Sequence, residues 1–241
     1  KLNQDATRAA TGSADFSAKL WNAISGDEVR TLEHPHIVKT VDWAPGGSGA
    51  LATGSNDKKA RVFDCARADT PVAATLEHGK AVRKVVWSRD AALLYTACED
   101  GAVRLWDPRA PAASVRSAAL PGGAALMDLE LSPDGATLTA AAGRNVLLVD
   151  ARSLEVRKVH TLAAEVETAS LHPGHGRYFV AGGADVWVHV VDAETGAELA
   201  TQRGHHGIVH CLRFSLDGRT YTSGADDATI RIWKDEEWAR K

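Results

Sequence analysis

The residues of this chain best suited to chemistry are its histidines, and they gather in two places. The stretch RGHHGIVHC carries His205, His206 and His210, and LHPGHG carries His172 and His175. Clustered imidazoles can hold Zn²⁺, but a usable site needs four N, S or O ligands at tetrahedral positions. No carboxylate or thiol stands at ligand spacing, and strand alternation turns Cys211 to the face opposite His210. The glycine pairs in AGGADVW and LPGGAAL lack the Lys and the Ser or Thr of a phosphate-cradling loop. No serine sits in a nucleophile elbow served by His and Asp. The expectation is a protein with no catalytic residue, no metal ligand and no cofactor.

What the histidines do instead is recur with a hydroxyl, an Asp and a Trp. His205, Ser223, Asp227 and Trp233 form one such set, and His78, Thr96, Asp100 and Trp106 a second. His34, Thr53 and Asp57 form a third, in which Phe63 has no N–H to give. Thr11, Asp15 and Trp21 supply part of a set near the start, and Asp185 stands alone later. An indole donates, a hydroxyl donates and accepts, an imidazole links, and a carboxylate accepts. Such a chain of hydrogen bonds ties loops together when every member is satisfied. The reading is structural, because the residues recur with the fold.

The elements that position these sets recur too. Short β-branched runs end in Trp21-Asn22, Phe63-Asp64, Trp106-Asp107, Val149-Asp150, Val191-Asp192 and Trp233-Lys234, spaced 42 or 43 residues apart. Six residues before each marker stands Asp15, Asp57, Asp100, Asp185 or Asp227, with Gly143 in the fourth unit. Each unit reads as strand runs separated by Asp- and Gly-rich turns, as in AVRKVVWS, ALLYTAC and AVRLWD, followed by a more polar run. Four strands and their turns fill about 40 residues. A lone sheet of this size cannot cover its faces or edges, and radial packing of several cures both. The sequence therefore predicts an all-β propeller, with units at about 1–32, 33–77, 78–119, 120–161, 162–203 and 204–241 of a single domain.

Composition agrees with this reading. The chain has 241 residues, 44% hydrophobic and 24% charged, with 28 Lys and Arg against 31 Asp and Glu and a formal charge of −3. That balance offers no basic footprint for nucleic acid or anionic membrane. Three separated cysteines suit a reducing compartment, so a cytoplasmic protein is expected, with the nucleus as a second location. No apolar run is long enough to cross a bilayer as a helix. A platform for proteins is left, with no small-molecule substrate. By register, entry loops and inner turns open on one end of each sheet. Ile37, Lys39, Asn56, Arg83, Glu99, Met127, Glu165, Glu167, His210 and Asp226 are expected there, positive in the second and third units and acidic in the fifth and sixth.

The spacing and the GH…WD-like wording resemble the WD40 repeat family, in which the four-residue network is a structural feature. Units two, three and six carry the resemblance most specifically. Further phrases are not demanded by the fold: ADFSAKLW, SGDE, HIVKTVDW, DGAVRLWD, TASLHP and GHHGIVHCLRFSLDGRTYTSGADDATIRIW. They resemble one group of seven-bladed WD40 adaptors. That resemblance implies non-enzymatic partnership with snRNP-assembly subunits of the survival-of-motor-neuron complex, mRNA processing and splicing, and translation control through an RNA-binding partner. In animals it also implies receptor or kinase partners in TGF-β signalling. Alternatives are the WD40 subunit of translation initiation factor 3 and a ubiquitin-ligase substrate receptor. Counting runs gives three strands, four sets of four, and three more, with no obvious fourth in WKDEEWARK. The resemblance then implies an absent first blade and about 60 residues upstream.

Overall fold

The computed structural model describes residues 1–67, 69 and 71–235. The part of WKDEEWARK from 236 to 241 lies outside the described residues. All regular structure among them is antiparallel β, in six sheets whose strands are neighbours in chain order, the blade topology of a β-propeller. Two compact units divide the chain, the first from Lys1 to Leu126 and the second from Met127 onward.

The first unit holds three sheets. They are β1 (Arg8–Gly12), β2 (Ser17–Asn22) and β3 (Glu28–Glu33); β4 (Val38–Trp43), β5 (Ala50–Ser55), β6 (Lys59–Asp64) and β7 (Val72–Glu77); and β8 (Val82–Trp87), β9 (Leu94–Cys98), β10 (Ala102–Trp106) and β11 (Arg116–Ala119). The second unit holds the sheets built on β12 (Leu126–Leu131), β13 (Thr137–Ala142), β14 (Asn145–Asp150) and β15 (Val156–Thr161); on β16 (Val166–Leu171), β17 (Tyr178–Gly183), β18 (Val188–Asp192) and β19 (Glu198–Gln202); and on β20 (Val209–Phe214), β21 (Thr220–Ala225) and β22 (Ile230–Lys234).

Burial follows from sheet-on-sheet packing. The middle strand β17 is buried at every position, because a neighbouring sheet of the same unit lies on each side of its own, and β9 is likewise buried throughout. Leu76, Val62, Val85, Trp87 and Leu94 pack the second sheet onto the third. In the second unit Tyr178, Val180, Val190, Leu212 and Tyr221 do the same for the fifth and sixth. The fourth strands are polar and half-exposed, as β19 shows. Where sheets approach most closely only glycine fits: a Cβ on Gly54 would stand 2.6 Å from Thr40 Cγ2 and 2.8 Å from Val82 Cγ1.

Two local devices shape the end where the inner strands begin. Register shifts fall between Val38 and Thr40, Val82 and Lys84, Val166 and Thr168, and Val209 and Cys211. Each is a β-bulge that skips one residue and re-aims it. The skipped residues are Lys39, Arg83, Glu167 and His210. Because of the last bulge His210 and Cys211 are both exposed, which corrects the strict alternation expected there. The second device is the turn that carries the recurring Asp, ahead of β2, β6, β10, β18 and β22. The residue after the turn Asp is left-handed at Phe16 (φ 71°), Lys58 (φ 67°), Gly101 (φ 76°), Val186 (φ 64°) and Ala228 (φ 59°).

Candidate partner-binding site

The turn that carries the recurring Asp is fixed by hydrogen bonds running into the sheet. In the sixth sheet all four members of the set are joined. Trp233 Nε1 donates to Ser223 Oγ at 2.8 Å, Ser223 lies 2.7 Å from His205 Nε2, and His205 Nδ1 lies 3.0 Å from Asp227 Oδ2. A carboxylate only accepts, so Nδ1 carries the proton and Nε2 accepts from the serine. Asp227 also accepts from the His206 amide and from Thr229, and these bonds hold its carboxyl well below the usual range.

The second and third sheets close the chain differently. His78 Nε2 lies 2.9 Å from Thr96 Oγ1, which accepts Trp106 Nε1 at 3.0 Å, but His78 Nδ1 turns to the Leu76 carbonyl at 2.9 Å. His34 behaves alike, with Thr53 on one nitrogen and the Leu32 carbonyl on the other. Asp57 and Asp100 are therefore not bonded to these histidines, a correction to the four-membered sets read from spacing. An arginine four residues on takes each carboxylate, Arg61 at 2.6 Å and Arg104 at 2.5 Å. A charged fork outcompetes a neutral imidazole for a carboxylate. Burial pushes both acids upward, yet the arginines and backbone amides outweigh it and leave both lowered. Burial, helped by the nearby Arg104 charge, drives His78 down to about 4.

In the first sheet Trp21 Nε1 donates to Thr11 at 2.9 Å, while Asp15 accepts from the amide and hydroxyl of Ser17. Asp185 binds His189 Nε2 at 2.7 Å and the Trp187 amide, with no incoming histidine. Phe63 only packs edgewise on His34, ring centroids 5.6 Å apart. Trp106→Phe should therefore make the third sheet resemble the second, at a cost of about 1 kcal/mol for the lost donor. A urea midpoint unchanged by that substitution would remove the indole from the network.

These networks hold the bulge ends in place. In the first unit Asn56 donates its amide to the Ile37 carbonyl at 3.0 Å, and Glu99 donates to Ala81 at 3.1 Å. Lys39 projects into solvent, and Arg83 pairs with Glu99 at 3.5 Å, so the two charges expected on this rim partly cancel. In the second unit Met127 is half-buried as the second residue of β12, and Glu165 is exposed ahead of the β16 bulge. His210 stands between Glu167, 3.9 Å from Nδ1, and Asp226, 2.9 Å from Nε2. That end is acidic, with one imidazole set among its carboxylates. Elsewhere His172 is buried and stacks on His175 at 3.7 Å. Among the described residues no three His, Cys, Asp or Glu side chains are arranged to hold a metal. No described helix could cross a membrane.

One arrangement escaped the sequence reading. Arg213 on β20 forks onto Asp128 of β12, with Nη1 and Nη2 each 2.7 Å from a carboxylate oxygen. Thr168 of β16, lying between, donates to the same carboxylate at 2.6 Å. Asp128 is 1% exposed. The inner strands of three successive sheets in the second unit are thereby tied at one point. The signal in the sequence was charge inside two apolar runs, Asp128 and Glu130 in LMDLEL and Arg213 in VHCLRF.

Comparison with known proteins places these features in context. The profile described as "WD domain, G-beta repeat" matches residues 26–64, 70–107 and 196–234. The chain is similar to the serine-threonine kinase receptor-associated protein of Mus musculus, 41% identical over 97% of this chain and 65% of that protein. It is 38% identical to the protein of that name from Dictyostelium discoideum, over 97% of this chain and 78% of the relative. Subunit I of eukaryotic translation initiation factor 3 from Culex quinquefasciatus is more distant, 25% identical over 94% of this chain and 76% of that protein. The chain thus spans 65% of the length of the vertebrate relatives it matches.

Proposed function

Because the chain belongs to the serine-threonine kinase receptor-associated family of WD40 proteins, we propose that it is a non-enzymatic adaptor whose sheets dock protein partners on their bulge ends. The observation that carries this reading is the division of labour at those ends. Asp, His, hydroxyl and Trp groups are consumed in fixing the turns, whereas the residues skipped by the bulges project different chemistry from four of the sheets: Lys39, Arg83, Glu167 and His210. A rigid frame with variable projecting groups serves recognition.

The relatives' name points to association with a serine-threonine kinase receptor, and the resemblance in wording points to snRNP assembly and translation control. We carry both over as partners of this chain, in the cytoplasm and the nucleus. Affinity capture with mass spectrometry tests the proposal. Recovery of Sm and Gemin-type proteins, reduced by Glu167→Lys or Lys39→Glu, is the expected outcome. A stable initiation-factor core in their place would move the chain to the more distant relatives' role. Turnover of ester, peptide or phosphate substrates should stay at background, and robust activity would end the adaptor reading.

A further inference from the structure

The bulge end of the first unit carries an exposed aromatic pair followed, one sheet on, by an exposed lysine pair. Phe16 holds a left-handed backbone (φ 71°), a conformation unfavourable for a bulky side chain, and the residue is still 44% exposed. The third sheet places Gly101 at the equivalent turn position. The Phe16 ring rests against the exposed His36 ring, centroids 5.3 Å apart. The repeat then substitutes lysines in the same geometry. The Phe16 carbonyl accepts the His34 amide at 2.8 Å, and the Lys58 carbonyl accepts the His78 amide at 2.9 Å. Lys58 therefore stands where Phe16 does, and Lys80, two residues beyond His78, stands where His36 does. Lys39 projects from the intervening bulge.

The charges do not balance locally. Asp57 is held by Arg61, Asp100 by Arg104, Glu99 by Arg83 and Glu77 by Lys59. Lys19 is held by Glu28, and Asp15 accepts from the amide and hydroxyl of Ser17. The side chains of Lys39, Lys58 and Lys80 are exposed and have no hydrogen-bond or ion-pair partner among the described residues. Three ammonium groups without ion-pair partners, on the same end of the unit as a strained, exposed aromatic, break the local sequence rules together, which is where recognition sites are found.

We propose that this end of the first unit binds an acidic peptide segment carrying one aromatic residue, which packs on the Phe16–His36 pair while its carboxylates meet Lys39, Lys58 and Lys80. The proposal rests on the adaptor reading and names the chemistry of one partner. A peptide suits the site better than nucleic acid because three lysines on a chain of formal charge −3 make no continuous phosphate track.

The test is fluorescence anisotropy with a short fluorescein-labelled peptide of Glu and Asp around a central Phe. Binding should weaken with salt and with Ser in place of the central Phe. Phe16→Gly relieves the backbone, so the variant should melt no lower than the parent yet bind about tenfold more weakly. Phe16→Trp should retain binding, Lys58→Gln with Lys80→Gln should lose it, and His210→Gln in the other unit should leave it unchanged. Unaltered binding by Phe16→Gly, or no binding of the peptide to the parent chain, overturns the proposal. Tighter binding of a labelled oligouridylate with the same Phe16 and lysine dependence overturns it in favour of single-stranded RNA. Partner capture that survives while the peptide fails sinks this site and spares the adaptor reading. Peptide binding without any captured partner does the reverse.

Discussion

Arg213→Ala is expected to lower the stability of the chain by about 3–5 kcal/mol, the cost of leaving a buried carboxylate without its counter-charge. The direction follows from the asymmetry of the pair. The Arg213 side chain is 32% exposed and could be solvated alone, whereas the Asp128 side chain is 2% exposed and could not. Thr168 and the Leu129 amide at 2.9 Å would still donate to Asp128, which draws the expected loss toward the lower end of that range. Asp128→Asn in the Arg213→Ala background removes the orphaned charge while keeping an acceptor, and should restore much of the loss. Urea midpoints for the two single variants and the double variant decide it. Additive losses would mean that the two groups are not coupled, and that the tie between β12, β16 and β20 is incidental packing.

That tie also marks where sequence reading stopped. The sheets were legible because their punctuation is periodic: Asp57, Asp100 and Asp227 stand six residues before Phe63, Trp106 and Trp233, and turns depend on residues close in the chain. The hydroxyl–indole links were legible for the same reason, since Thr96 and Trp106 lie diagonally across one hairpin, ten residues apart. The outer nitrogen of His78 was not, because its choice between Asp100 and the Leu76 carbonyl depends on whether Arg104 claims the carboxylate first. Nor was the exposure of Cys211, because a bulge moves a whole strand by one residue without a residue type that announces it. Asp128 and Arg213 are 85 residues apart and belong to sheets separated by a third. Only the packing of inner strands brings them together. The aromatic pair at Phe16 and His36 was passed over because a turn Phe in SADFSAK reads as ordinary until its positive φ is seen.

Acidification from pH 7 to below 4 is expected to weaken the fold by up to about 3 kcal/mol through His78 alone. Burial among Leu76, Thr96 and Trp106 holds this imidazole down at about 4, against an unfolded value of 6.5. Between those two values the unfolded chain binds a proton that the folded chain refuses, so stability falls as pH falls, and the loss is complete only below the folded value. The hydrogen bonds explain the refusal. With Nδ1–H given to the Leu76 carbonyl, Nε2 must accept from Thr96, and a second ring proton would leave the threonine hydroxyl without its acceptor. His34, held low by the same burial, adds to the effect in the same direction. The lowered carboxylates of Asp57 and Asp100 contribute in a separate window, because their stabilisation is lost only as pH drops through the ordinary carboxylate range toward their folded values. Urea midpoints should therefore begin to decline as the pH falls through the ordinary histidine range, above the window in which Asp57 and Asp100 titrate. His78→Gln cannot titrate and should flatten that decline, at some cost in stability at pH 7. Parallel curves for the parent chain and the variant would show that the buried imidazole is not what makes the fold acid-sensitive.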